Sequence, residues 1–249
     1  MPLKILVITI IFYFCSAAQA WAISPELQSA IDSEIRSSKD KSRDYSRKPG
    51  ETLEFFEVKN DSNVLELIPG GGWYTKILGT YLAENGKLSV AIGATTERLK
   101  LEENNLQHVT IIGEDFKMVE TEIHGGIRDV EGGTLGDNEF DTVLTFRNMH
   151  NMSESGRALV NKAVFNALKP GGIYGVIDHT RRHMEPFDEE RWRRMDPVLV
   201  IKELESIGFI FEDYSDLHAR PDDTLMYDST HESIARDSDR FTLKFRKPL

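Results

Sequence analysis

A chain of 249 residues, 40% hydrophobic and 29% charged, has the composition of a soluble globular protein, and its length fits one α/β domain with at most an appended piece. A formal net charge of −11 repels phosphate backbones, so nucleic acid is not an expected partner. The single cysteine, Cys15, lies in a segment that export would remove, which leaves the mature chain without disulfide or thiolate chemistry.

That segment is residues 1–22. Lys4 gives a short positive start, and Ile5 to Cys15 is apolar apart from Thr9. Small residues then recur in A-x-A form, as Ala18-Gln19-Ala20 and Ala20-Trp21-Ala22. This is the pattern of a secretory signal peptide. The apolar run is shorter than the ~20 residues of a comfortable membrane span. An uncleaved anchor is the alternative, and the bulky Phe12-Tyr13-Phe14 before Cys15 argues against a lipid attachment there. The expectation is an exported protein that is off the membrane once the signal is cleaved.

Along the mature chain, Ser24-Pro25-Glu26 predicts a capped helix start, with Leu27, Ala30, Ile31 and Ile35 at helical spacing. Residues 37–49 are polar and charge-rich. They read as exposed surface, with a lid built from Tyr45 and the basic stretch Lys39 to Lys48 as the alternative. Leu53, Phe55 and Phe56 suggest a short packed helix. The pattern then becomes regular: strand Asn63–Ile68, helix Trp73–Glu84 closed by Asn85-Gly86, strand Lys87–Ile92, helix Thr95–Asn104 and strand Val109–Ile112. Residues 113–139 are Gly- and acid-rich with weak periodicity. There follow strand Phe140–Phe146, helix Ser153–Leu168, strand Ile173–Ile177 and a largely helical stretch Asp188–Ile207 that Pro197 must kink or break. Strands Phe209–Tyr214 and Phe241–Phe245 close the chain around a polar loop. Alternating strands and helices predict a doubly wound, mostly parallel seven-stranded α/β sheet, and the absence of a helix between the last two strands predicts an antiparallel C-terminal hairpin.

Three stretches carry candidate chemistry. In Glu66-Leu67-Ile68-Pro69-Gly70-Gly71-Gly72-Trp73-Tyr74 a strand runs through glycines into a helix, so backbone can approach a ligand and helix N–H groups are presented to it. Tight βα turns use the same glycines for structural reasons alone. In Phe146-Arg147-Asn148-Met149-His150 an apolar strand ends in three different polar functions at the carboxyl edge of the sheet, where ligands of open α/β sheets sit. Turn and cap residues are the structural alternative. The strand before Asp178-His179 ends on the same edge, and histidine is the natural proton carrier near neutral pH. His150, Asp178, His179 and His183 match no strong metal motif, so no metal is expected. Leu168-Lys169-Pro170-Gly171-Gly172 belongs to the opposite edge.

Together these stretches resemble class I S-adenosylmethionine (SAM) dependent methyltransferases over about residues 50–247. Glu66 to Gly72 resembles their first motif, Phe140 to Phe146 the fourth-strand motif, and Leu168 to Gly172 the motif before strand five. More narrowly, "ELIPGGGWYTKIL", "VLTFRNMHN", "LKPGG…VIDH" and "RFTLKFRKP" resemble an exported bacterial methyltransferase-like group. The resemblance implies a signal peptide at 1–22, an N-terminal helix and candidate lid at 23–49, and a Rossmann-like methyltransferase domain at 50–249. It implies SAM as cofactor, held by Glu66, Gly70, Gly72 and Asp115. A small-molecule acceptor would meet His150, His179 and Arg147 as catalytic groups, with Tyr74, Asn148 and Asp178 shaping the pocket. Two departures stand out. Ile68 replaces the usual first glycine, and strand two ends in Ala91-Ile92-Gly93-Ala94-Thr95 without the carboxylate that binds ribose. The alternative function is therefore an exported protein of this fold that no longer binds SAM and uses the cleft for another ligand.

Overall fold

The computed structural model describes residues 23–123, 125–234 and 237–249. The signal-peptide reading of residues 1–22 lies outside them. The first helix forms as its cap dictates: the Ser24 side chain accepts from the Leu27 amide at 3.2 Å, Pro25 opens α1 (Pro25–Asp32), and Leu27, Ala30 and Ile31 are buried. Three short helices follow, α2 (Ser38–Lys41), α3 (Asp44–Arg47) and α4 (Pro49–Phe55). The segment 37–49 is thus not the uniformly exposed surface its polarity suggests. Tyr45 is 83% exposed, but Arg47 is 6% exposed and lies over the Trp73 ring. Arg36, just before it, is buried as well and ion-paired to Asp44.

The alternating part comprises β1 (Asn63–Leu67), α5 (Trp73–Tyr81), β2 (Lys87–Ala91), α6 (Thr96–Leu99), β3 (Thr110–Ile112), β4 (Lys117–Glu120), β5 (Arg128–Glu131), β6 (Phe140–Phe146), α7 (Glu154–Ala167), β7 (Leu168–Thr180), β8 (Arg194–Met195), α8 (Pro197–Ile207), β9 (Ile210–Ser215) and β10 (Arg240–Arg246). The main sheet runs β3-β2-β1-β6-β7-β10-β9. The first five of these strands are parallel, and β10 lies antiparallel to both β7 and β9. This is the doubly wound sheet with an antiparallel C-terminal hairpin that the sequence predicts. The period of two is visible in its core. Leu65, Val143 and Val176 face one layer, and their neighbours Val64, Leu144 and Ile177 face the other.

Three local readings need correction. The helix expected over Thr95–Asn104 is a single turn, α6. Leu99, Leu101 and Leu106 are all buried, a spacing one continuous helix face does not provide, and Lys100 takes a left-handed conformation (φ 54°) that redirects the chain. The stretch 113–139 holds the hairpin β4–β5 outside the main sheet, paired Lys117 to Glu131 through Glu120 to Arg128. Its strands have four residues each, and β4 buries almost none of its side chains, so the alternation is faint. Pro197 begins α8 rather than kinking a longer helix. Asp196 caps it by accepting from the Val198 amide at 2.9 Å, and the preceding Arg194–Met195 pairs with the end of β7.

The central strand β7 packs so closely that one position admits no side chain. A Cβ at Gly175 would stand 2.7 Å from Phe56 Cγ and 2.8 Å from Leu144 Cδ2. Gly175→Ala is therefore expected to cost about 1–3 kcal/mol of stability through overpacking. A urea unfolding midpoint unchanged from wild type would contradict this packing.

Candidate functional site

The carboxyl ends of β1, β2 and β6 share a backbone device. Immediately after each strand stands a non-glycine residue with positive φ: Ile68 (48°), Ile92 (63°) and Arg147 (60°). The Ile68 amide still donates to the Ala91 carbonyl at 2.8 Å, and the Arg147 amide to the Ile177 carbonyl at 2.7 Å. Pairing thus extends one residue past β1 and β6 before the chain turns out of the sheet. Such conformations are uncommon for L-residues and concentrate at functional sites. Ile68 stands where the first glycine of the motif is expected and keeps the conformation a glycine would take.

Beyond Ile68, Gly70 (φ 60°) and Gly71 face open space, and a Cβ on either would meet nothing within 4 Å. Gly72 differs: it is the N-cap of α5, and a Cβ there would lie 3.3 Å from Leu99. The open space is a cleft of about 280 Å³. Its floor includes Glu66, 3% exposed, whose Oε2 accepts from Thr75 Oγ1 at 2.6 Å. Burial pushes the Glu66 carboxyl up to about 7, against the opposing pull of the Thr75 hydroxyl and Arg47. Tyr74 stacks on Phe146 (centroids 3.7 Å apart, 11° between planes) and donates its hydroxyl to the Arg47 carbonyl at 3.2 Å. Asn148 donates to the carbonyls of Ile68 and Phe146, both at 3.1 Å, tying the ends of β1 and β6 together.

Beside the cleft, on the same edge, lies a buried polar cluster. His150 Nδ1–H donates to Asp178 Oδ1 at 2.6 Å and the His150 amide to Asp178 Oδ2 at 3.1 Å, while the His179 amide donates to Oδ1 at 2.8 Å. A carboxylate accepts only, so this geometry puts a proton on His150 Nδ1; in the neutral ring Nε2 is then the acceptor. His150 Nε2 makes no hydrogen bond among the described residues. His179 Nδ1 pairs with Ser238 Oγ at 2.7 Å, and burial, reinforced by His150, holds this ring well below its usual range and hence neutral. One ligand-type atom from each of His150, Asp178 and His179 lies within 4.8 Å of the others. Both Asp178 oxygens are, however, already occupied by N–H donors. His183 stands apart, bonded to Asp196 at 2.9 Å.

The structure thus brings Glu66, Gly70, Tyr74, Arg147 and Asn148 to one cleft, with His150, Asp178 and His179 adjoining. It leaves Gly72 in the helix cap, and Asp115, with Glu114, exposed in the β3–β4 turn outside the cleft. Asp40, Arg43 and Arg47 also line the cleft; the sequence offered their stretch, Lys39 to Lys48, only as an alternative lid and singled out none of the three. Their signal was the i, i+4 spacing of Arg43 and Arg47 within a stretch assigned to solvent.

No family model matches the chain. It is 29% identical over 126 residues to an uncharacterized methyltransferase of Synechocystis sp., 51% of each chain. It is 26% identical over 138 residues to the ubiquinone/menaquinone biosynthesis C-methyltransferase UbiE of Salmonella arizonae, covering 55% of this chain and 51% of that one. The chain thus spans about half the length of the curated relatives it matches. Among solved structures, a SAM dependent methyltransferase from Aquifex aeolicus superposes with a TM-score of 0.57 at 18% identity, covering 88% of this chain and 97% of the other. The fold is that of class I SAM-dependent methyltransferases.

The Glu66 carboxyl makes a testable pH signature. Its folded value of about 7 lies above the ordinary 4.5, so the unfolded chain ionises first. Stability contributed by this group is undiminished below pH 4.5, falls as pH rises to 7, and stays low above it. In Glu66→Gln this loss is absent. The variant should gain on wild type between pH 5 and pH 8 by most of a total on the order of 3 kcal/mol. Denaturant unfolding at the two pH values reads the difference, and a pH-independent gap would refute the assignment.

Proposed function

We propose that the protein is a SAM-dependent methyltransferase acting on a small-molecule acceptor. The observation that carries the reading is the open cradle over Gly70 and Gly71, floored by Glu66 and adjoined by the His150–Asp178 pair, at the carboxyl edge of a methyltransferase-fold sheet. The residues present fit the methionine part of SAM: the glycines leave the space into which a side chain would project, and Glu66 offers an acceptor beneath it. SAM, when bound, supplies an activated methyl group on a sulfonium centre. The chain's own contribution is to orient the acceptor and take its proton. Asp178 fixes the His150 ring and tautomer, so Nε2 is the base, and neutral His179 beside it adds no competing charge.

The ribose end is weaker. No carboxylate follows β2; the Thr95 hydroxyl there is occupied by the Arg98 amide at 3.1 Å, and Glu97 is exposed on α6. Losing one charged partner costs about 1–3 kcal/mol, which lowers affinity without abolishing it. Asp115 is assigned to the adenine end, reached from the β3–β4 turn. We further infer that residues 1–22 are an export signal and that the mature chain works in the periplasm, a reading supported by their n-region, h-region and A-x-A pattern. No helix among the described residues is long and apolar enough to cross a membrane.

Titration calorimetry with SAM and with S-adenosylhomocysteine tests the reading, with dissociation constants around micromolar expected. No heat at millimolar ligand would overturn it. With an acceptor in hand, His150→Ala should lower the transfer rate by about 10²–10⁴-fold while leaving S-adenosylhomocysteine affinity within about threefold. Equal losses in both would make His150 a binding or folding residue instead.

A further inference from the structure

Two guanidinium groups meet in the cleft without a carboxylate partner. Arg47 reaches in from α3, its guanidinium carbon 4.4 Å from the centroid of the Trp73 ring, and Arg147 stands on the opposite side at the end of β6. Neither side chain makes a hydrogen bond or ion pair with a described residue. Other deeply buried arginines are paired: Arg36 with Asp44, and Arg194 with Asp223 at 2.8 Å. The acids near the two groups are already engaged. Asp40 is bonded to Lys76 at 2.9 Å, Glu66 is held by Thr75, and Asp178 accepts three N–H donors. Arg43 lines the same cleft. Burial, and then the neighbouring Arg147 and Arg43, push Arg47 down to about 8, which expresses how poorly its charge is compensated.

A buried charge without a partner is costly, and a guanidinium fork of N–H donors matches a carboxylate or phosphate bidentately. SAM does not balance this site. It carries one carboxylate against an ammonium and a sulfonium, so it adds net positive charge. A second oxyanion would offset the positive charge that Glu66 and Asp178 leave uncompensated. We propose that Arg47 and Arg147 form an oxyanion subsite and that the methyl acceptor carries a carboxylate or phosphate group bound there. The site itself stands on the geometry; that its ligand is a methyl acceptor rests on the methyltransferase reading.

The test is a titration of inorganic phosphate, and in parallel of benzoate, into the protein with and without saturating S-adenosylhomocysteine. Wild type, Arg147→Gln and Arg47→Gln are compared, each checked by thermal unfolding for an intact fold. Expected is binding of one or both anions to the S-adenosylhomocysteine complex, weakened at least about tenfold in either variant, with S-adenosylhomocysteine affinity kept within about threefold. Preference for phosphate or for benzoate identifies which oxyanion the acceptor bears. Competition between anion and S-adenosylhomocysteine would overturn the proposal, because the arginines would then hold the cofactor's own carboxylate. Absence of anion binding to a protein that does bind S-adenosylhomocysteine would overturn it and leave the methyltransferase reading intact. Anion binding lost in the variants, in a protein that binds neither SAM nor S-adenosylhomocysteine, would keep the oxyanion site and remove the methyltransferase reading.

Discussion

The carboxylate of Asp178 organises the functional edge of this sheet. It has no solvent exposure and takes hydrogen bonds from two backbone amides and one imidazole. A buried carboxylate would be prohibitively costly without such donors, so these three contacts are a condition of the fold as well as of the site. They bind the end of β7 to the turn that follows β6, which puts His150 and His179 side by side, with ring centroids 5.4 Å apart. Asp178 orients these neighbours through its hydrogen bonds and acts on Arg147 through its charge alone, with no hydrogen bond between the two.

A second fixed point is the Arg47 carbonyl. It accepts from Thr52 Oγ1 at 3.1 Å, Tyr74 Oη at 3.2 Å and His218 Nε2 at 3.0 Å. His218 is buried, and burial lowers it to about 4, so it donates here as the neutral ring while its Nδ1 accepts from Thr242 Oγ1 at 2.8 Å. One backbone oxygen thus joins the N-terminal segment to α5, to the 216–239 loop and, through His218, to β10. With its carbonyl so held, α3 delivers the Arg47 side chain into the cleft, where it stacks on Trp73. The segment is a wall anchored at its C-terminal end.

This explains what could be read from the sequence. Strands β1, β2, β6 and β7 announce themselves because they are buried on both faces and are therefore continuous apolar runs. Their carboxyl ends carry polar residues that nothing in the core accounts for, which is why Glu66, Arg147, His150 and Asp178 could be named. Arg47 could not. Its importance comes from contacts with Trp73, Tyr74 and His218, which lie between 26 and 171 residues away, and a charged stretch has the same local pattern whether it faces water or a cleft. The hairpin β4–β5 was hidden for a different reason: a pair of four-residue strands with one side in solvent has almost no hydrophobic period to detect.

The departure at Ile68 bears on whether the glycine-rich turn still works as a ligand cradle. A left-handed β-branched residue costs roughly 1–2 kcal/mol. Fully burying an isoleucine contributes about 1.5–3 kcal/mol. Ile92, 2% exposed, recovers its cost in this way, and Ile68, partly buried against the same core layer, recovers part of its own. Glycine at these positions would relax the backbone but leave a void where β1 and β2 end together. The conformation that opens the crevice is held here by the packing of isoleucine rather than by the freedom of glycine. Within the turn, Gly70 and Gly71 are the positions at which a side chain would meet open space, whereas Gly72 packs against Leu99. A turn kept only for its shape would not need that distinction; a turn that must leave room for a ligand does.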